Sequence, residues 1–186
     1  SDTEAEIYVW VGVQLRSMSV PDDPADWPRI TDLSALDPEN IKYRNTAFLA
    51  ADDHPYELGW GLSGDELRRK AWNTRNGDLR KLMRNFPRDK PLRQQCAHWM
   101  HALVGVHFFP DANHRTAAAT LRRLLRENRI VWKAWSTERL REARESSHQI
   151  RRDVADVTMD SLYREDELHA VWLDFFEDEL EVVVPE

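Results

Sequence analysis

The chain has 186 residues, enough for one domain with a real core, and its 41% hydrophobic and 32% charged composition is that of a globular protein rather than a disordered one. Its net charge of −7, with 21 arginines against 5 lysines, argues against bulk nucleic-acid binding. No run approaches the ~18 apolar residues of a membrane span, no signal-peptide pattern is present, and the single cysteine, Cys96, excludes an internal disulfide, so a cytoplasmic location without membrane partners is expected.

In chain order, residues 7–13 (IYVWVGV) form a short apolar run that suits a buried strand or the start of a helix, and periodicity does not separate the two. Residues 20–55 carry five of the nine prolines with many Asp, Asn and Ser, which predicts an irregular connector holding at most one short helix or hairpin. Residues 1–60 are therefore expected to be an extension of uncertain structure, and 61–186 one compact helical unit. Ser63 with Glu66 is a capping-box pair that opens a helix to about Phe86, with Leu67, Ala71, Leu79, Leu82 and Phe86 inward and Asn76-Gly77 as the place where it can break. A turn at 87–91 (PRDKP) leads into a helix over 92–106, whose apolar face is Leu92, Cys96, Trp99, Leu103 and Val106. A second core helix over 113–128 repeats the period with Ala117, Leu121, Leu124 and Leu125. An apolar link at 130–135 and helices over 137–152 and 160–180 complete a mainly α fold, the last helix turning Leu168, Val171, Trp172, Phe175 and Phe176 inward.

Between the two core helices lies the chemistry-bearing stretch, His107 to Thr116 (HFFPDANHRT). It brings a base, a carboxylate, an amide and a guanidinium to a helix N-terminus, whose unpaired N–H groups and positive dipole end suit phosphate. His107 can take a proton from a hydroxyl near neutral pH, against the alternative of a satisfied core histidine. Asp111 offers magnesium a hard oxygen ligand, or caps the helix. Asn113 can pair with phosphate oxygens or cap the helix itself, and the Arg115 fork suits bidentate phosphate binding. Arg122, Arg126 and Arg129 follow on the same face but too far along to reach the loop, so they are expected to be solvated. Phe109 is expected to be a core anchor.

The string resembles H-x-F-x-D-A-N-x-R-T, the signature of the Fic/Doc family in its Doc-type spelling, with Ala where Fic enzymes usually carry Gly. With its flanking helices the resemblance covers about residues 92 to 130. It implies a mainly α Fic/Doc-type helical domain, with a β-hairpin flap for which 20–55 is the candidate region. It also implies His107 as catalytic base, Asp111 on Mg, and a nucleotide-phosphate site made of Ala112, Asn113, His114 and Arg115, with ATP or another NTP as co-substrate. AMP-transferring members typically read H-P-F-x-x-G-N-G-R-x-x-R. Here Ala112 and His114 replace the glycines, and Ala118 stands where the second Arg normally helps hold the γ-phosphate and partners an inhibitory glutamate. Residues 161–166 (SLYRED) are similar to that inhibitory element, but with Ala118 in place of Arg, Glu165 has no evident partner and the match reads as chance.

Doc-type members lack the second Arg too. Their reaction moves the γ-phosphate of an NTP to a protein hydroxyl, which implies a Ser/Thr/Tyr kinase-like toxin with an antitoxin partner and a target in translation. His114 is expected to donate to a phosphate, more strongly when protonated, so activity should fall as it deprotonates. AMP transfer and a non-catalytic nucleotide- or partner-binding module are the alternatives. His98 and His101, at i and i+3 on the core helix, have no third ligand at metal spacing and are expected to be a surface or core pair. The absence of a P-loop, G-x-G-x-x-G and H-E-x-x-H removes the commonest competing enzyme classes.

Overall fold

A computed structural model describes residues 18–21, 23–49, 63–154 and 156–185, and it is mainly helical. The apolar run at 7–13 and residues 50–55 of the expected connector lie outside the described residues. A two-residue strand β1 (Met18–Ser19) and a 3-10 turn at Pro24–Asp26, capped by the Asp23 carboxylate on the Ala25 N–H at 2.9 Å, lead to helix α1 (Pro38–Leu49). This twelve-residue helix lies where only a short element was expected. Its buried face mixes Ile41 and Leu49 with Lys42, Asn45 and Thr46, so no apolar stripe announces it.

The capping box at Ser63 is present in both directions and opens α2 (Gly64–Trp72). The predicted long helix is in fact two, because the chain turns at Asn73–Arg75 before α3 (Asn76–Arg84). All five residues assigned to its inner face are buried, so the packing direction survives the break. Helices α4 (Leu92–Val106) and α5 (Asn113–Glu127) have the expected bounds within one residue. Strand β2 (Val131–Trp132) occupies the apolar link, and α6 (Thr137–Asp153) follows. Helix α7 (Glu167–Glu179) starts later than the predicted 160, because the Asp166 carboxylate caps it by accepting the His169 N–H at 3.0 Å. The residues before it are turns, with Tyr163 in the left-handed region at φ 64°.

Strand β3 (Val182–Pro185) pairs antiparallel with both other strands, in the order β1-β3-β2 with Ser19 opposite Val184 and Val131 opposite Val183. Among the described residues of 20–49 there is no hairpin; the small sheet joins distant parts of the chain instead.

The core is built around α4, which is buried on nearly every side: its predicted face meets α5, where the Trp99 Nε1–H donates to Ala117 O and Thr120 Oγ1, and α7 covers much of the rest. Gly105 permits the close approach of the segment before α7, since a Cβ there would lie 2.6 Å from Val157 Cγ2. Gln95, fully buried, exchanges hydrogen bonds with both backbone groups of Ile30 and so fastens the N-terminal segment to α4. His98 and His101 are a core pair, joined there by His169 of α7. Among the described residues no helix is long and apolar enough to cross a membrane.

Candidate functional site

The loop from His107 to Ala112 is held by three polar side chains from different parts of the chain. Asn45 of α1 donates its Nδ2 to Asp111 O at 2.8 Å and to Thr116 Oγ1 at 3.0 Å, tying the loop to the first turn of α5. Thr74, in the turn that splits the predicted helix, donates its hydroxyl to Phe108 O at 2.8 Å. Phe109 is buried as expected, with both its backbone groups taken by Asn113: Phe109 N–H donates to Oδ1 at 3.0 Å, and Nδ2 donates to Phe109 O at 2.8 Å. Neither Asn45 nor Thr74 carries a sequence signal, because each is a polar residue whose partner lies at least 34 positions away.

Two residues of the loop, His107 and Ala112, have φ of 58°, in the left-handed region. His107 there ends α4 and turns the chain, while Ala112 precedes the first residue of α5. Ala112 brings no side-chain cap to the N–H groups of α5, so that helix start keeps donors available for an anion. Asp111 neither caps the helix in the usual way nor stands apart from it, as its Oδ1 accepts the Ala112 N–H at 2.5 Å. Asn113, a candidate phosphate ligand or cap, is 4% exposed and bonded within the loop, so it organises the site rather than touching what enters it.

Helix α5 and helix α6 face one another across a cleft of about 440 Å³, within the range of small-ligand sites. The cleft brings together every predicted site residue: His107, Asp111, Ala112, Asn113, His114 and Arg115. Opposite them α6 contributes Arg144, Glu145, His148, Gln149, Arg151 and Arg152. Sequence reasoning missed these, although 144, 148 and 151 fall at i, i+4 and i+7 and so share one helix face. Arg115 also lies over the Phe48 ring of α1, 5.4 Å from its centroid. Ala118 is buried and does not line the cleft, and Glu165 pairs with Lys90 at 3.7 Å and lies 3.8 Å from the neutral His98 ring, apart from it. Arg126 and Arg129 are exposed as expected, and Arg122 stacks on Trp135.

Two of the cleft imidazoles, His107 and His114, are neutral near physiological pH. Burial pushes His107 down to about 4, helped by the Arg151 charge and opposed by Asp111. Burial likewise pushes His114 down to about 3, with His148 and Arg144 adding to it. His114 Nε2 lies 2.8 Å from Ser147 Oγ, which also accepts the Trp172 Nε1–H at 3.1 Å and so links α5, α6 and α7. The premise that His114 is protonated near neutral pH is therefore corrected: this ring is already neutral between pH 6 and 8.

The proton on His107 is placed by its neighbour. With Asn113 oriented by Phe109, its amide Nδ2 faces His107 Nδ1 at 3.1 Å and can only donate, so Nδ1 accepts. The neutral ring then carries its proton on Nε2. Among the described residues no three His, Cys, Asp or Glu side chains come together as a metal cage. A magnesium ion arriving on nucleotide phosphates needs only one or two protein carboxylates, a demand that Asp111 meets in chemical type. No protein-family model, no curated protein and no solved structure matches the chain.

Proposed function

We propose that the protein is a Fic/Doc-type transferase that holds a nucleoside triphosphate in the α5–α6 cleft and passes its terminal phosphate to a Ser, Thr or Tyr hydroxyl of a target protein. The observation that carries this reading is the convergence of the whole motif, with an uncapped α5 N-terminus, on one arginine-rich cleft. In this reading Arg115 and the first N–H groups of α5 hold phosphate oxygens, with Asp111 as the carboxylate for magnesium, which when bound neutralises phosphate charge. The target oxygen forms a bond to the γ-phosphorus as the bond from that phosphorus to the ADP oxygen breaks, and His107 takes the hydroxyl proton. Such a reaction rests on positioning and charge more than on covalent chemistry. Proton uptake at Nε2 requires the ring proton to move to Nδ1, so His107 must give up the Asn113 contact when substrate binds.

That same contact favours a second reading, a module that binds a nucleotide without transferring any part of it. With Nε2–H as a fixed donor, His107 is suited to hold an oxygen rather than to accept a proton. Incubation with γ- or α-labelled ATP and a lysate of the host separates the readings. A γ-label on a protein band, lost in His107→Ala by about 10² to 10⁴ in rate, supports phosphate transfer. An α-label replaces that reading with AMP transfer, and ATP binding without either label replaces it with the binding module.

A further inference from the structure

Helix α6 carries five arginines, and three of them have acidic partners: Arg139 meets Glu142, Asp178 and Glu179, Arg141 meets Glu138 and Glu145, and Arg152 meets Asp153. Arg144 and Arg151 have no hydrogen bond or ion pair among the described residues, and both line the cleft. Arg151 is the more telling of the two. It is half-buried, and its Nε is shut off from solvent with no acceptor among the described residues. Removing a guanidinium from water without an anion to meet it is unfavourable, and burial holds Arg151 below its ordinary pKa. Its charge also reaches His107 and His114, helping to keep both neutral, so it lies beside the α5 residues of the motif. The cleft is lined by two acids, of which Glu145 pairs with Arg141 and Asp111 accepts the Ala112 N–H, and the first turn of α5 has no Asp or Glu to answer Arg151.

We infer that Arg151, with Arg144 at the rim, is a second anion subsite facing the α5 N-terminus, and that it grips the terminal phosphate of a polyphosphate chain whose other end is held by α5. The inference rests on the nucleotide reading and deepens it. It gives the cleft two phosphate grips on two helices, in a chain that has alanine at position 118. It also makes the preferred ligand class a triphosphate rather than a monophosphate, since only a longer chain can reach both grips.

Calorimetry in EDTA, which removes any contribution from metal, tests this with ATP, AMP and inorganic tripolyphosphate as probes. The intact chain should bind ATP and tripolyphosphate more tightly than AMP. Arg151→Gln should weaken ATP and tripolyphosphate by about 10- to 100-fold, the range of a charge-assisted phosphate contact, and change AMP by less than about 3-fold. Arg151→Lys should recover part of the loss, and Arg126→Gln, on an exposed part of α5, should match the intact chain. Thermal melts of each variant ensure that a loss of binding is read only on folded protein, and Arg144→Gln gives an independent, exposed position with the same expected direction. Equal affinity for ATP and AMP in the intact chain, or an equal loss of both in Arg151→Gln, overturns the second subsite while leaving a phosphate site at α5. Failure of the intact chain to bind any of the three probes, in EDTA and again with magnesium restored, overturns the nucleotide reading together with the subsite.

Discussion

Asn113→Asp replaces one NH₂ group by an oxygen at the place where the loop's hydrogen bonds decide the state of His107. In the parent, Nδ2 uses one proton on Phe109 O and the other on His107 Nδ1, and Oδ1 takes the Phe109 N–H. In the variant the Phe109 N–H still finds an oxygen, but the second carboxylate oxygen faces a backbone carbonyl and an imidazole lone pair. Two things follow. The Phe109 carbonyl loses its donor in a buried place, a loss of about 1–3 kcal/mol in stability. The imidazole gains by protonating at Nδ1 and pairing with the carboxylate, so His107 should rise by about 1–3 pKa units from its parent value of about 4. Nitrogen-15 chemical shifts of the ring read both states: the parent should show a neutral ring protonated at Nε2 over pH 6–8, and the variant a titration nearer neutrality. A parent ring protonated at Nδ1, or a His107 pKa that does not move in Asn113→Asp, would refute the assignment of the tautomer to Asn113.

Three further outcomes are expected. Phosphate transfer should be flat between pH 6 and 8, since His107 and His114, at about 4 and about 3, are both neutral there; a profile falling across that range in initial-rate assays, and flattened by replacing either residue, would refute that neutrality. Stability should decline as pH falls from about 6.5 towards 4: His98 is 1% exposed with its pKa pushed down to about 4 by burial and by His169, so below 6.5 the unfolded chain binds a proton that the folded chain refuses. Over that interval His98 alone removes about 3 kcal/mol, at 1.36 kcal/mol per pKa unit, and denaturant midpoints that do not move between pH 7 and 4.5 would contradict it. Gly105→Ala should destabilise by about 1–3 kcal/mol through the clash with Val157, and Val157→Ala should relieve only part of that in the double variant, because the Cγ2 contact goes while the Val157 Cβ would still lie 2.8 Å from the new methyl, a coupling that a thermodynamic cycle reads directly.

The elements legible in the sequence are those whose signal is local. Apolar spacing located α4 and α5 and named inner faces that are buried, save Val106, which is only partly so, and Ser63 with Glu66 marked the start of α2. The site loop was legible for the same reason, because its polar residues are consecutive. What was hidden depends on distant partners. Helix α1 was masked by its polar inner face, yet Asn45 on that face holds Asp111 and Thr116 in place. The break before α3 was expected near Asn76-Gly77 and falls at Asn73–Arg75, where Thr74 reaches Phe108, a contact 34 residues away in sequence. The α7 start shifted because Asp166 is its cap while also lying 3.0 Å from His101, a choice set by α4 rather than by the local pattern.

The charge of the cleft follows from the order of residues along α6, although the net charge of −7 points the other way. On a helix an arginine finds its acid at three or four residues' distance. Arg141 has Glu138 at i−3 and Glu145 at i+4, and both pairs form. Arg144 has Leu140, Arg141, Ser147 and His148 at those four positions, and Arg151 has Ser147, His148, Val154 and Ala155. Neither has an acid within reach on its own helix, and Ser147 is engaged by His114 and Trp172 instead. Of the two acids that line the cleft, Glu145 is paired with Arg141 and Asp111 accepts the Ala112 N–H, and at physiological salt, where screening acts over about 8 Å, the more distant acidic surface contributes little inside the cleft. An anion entering there meets the α5 N-terminus on one side and two guanidinium groups with no acidic partner among the described residues on the other. A negatively charged protein thus keeps a positively charged site, because the sign of the field is set by which arginines the helix leaves without a neighbour.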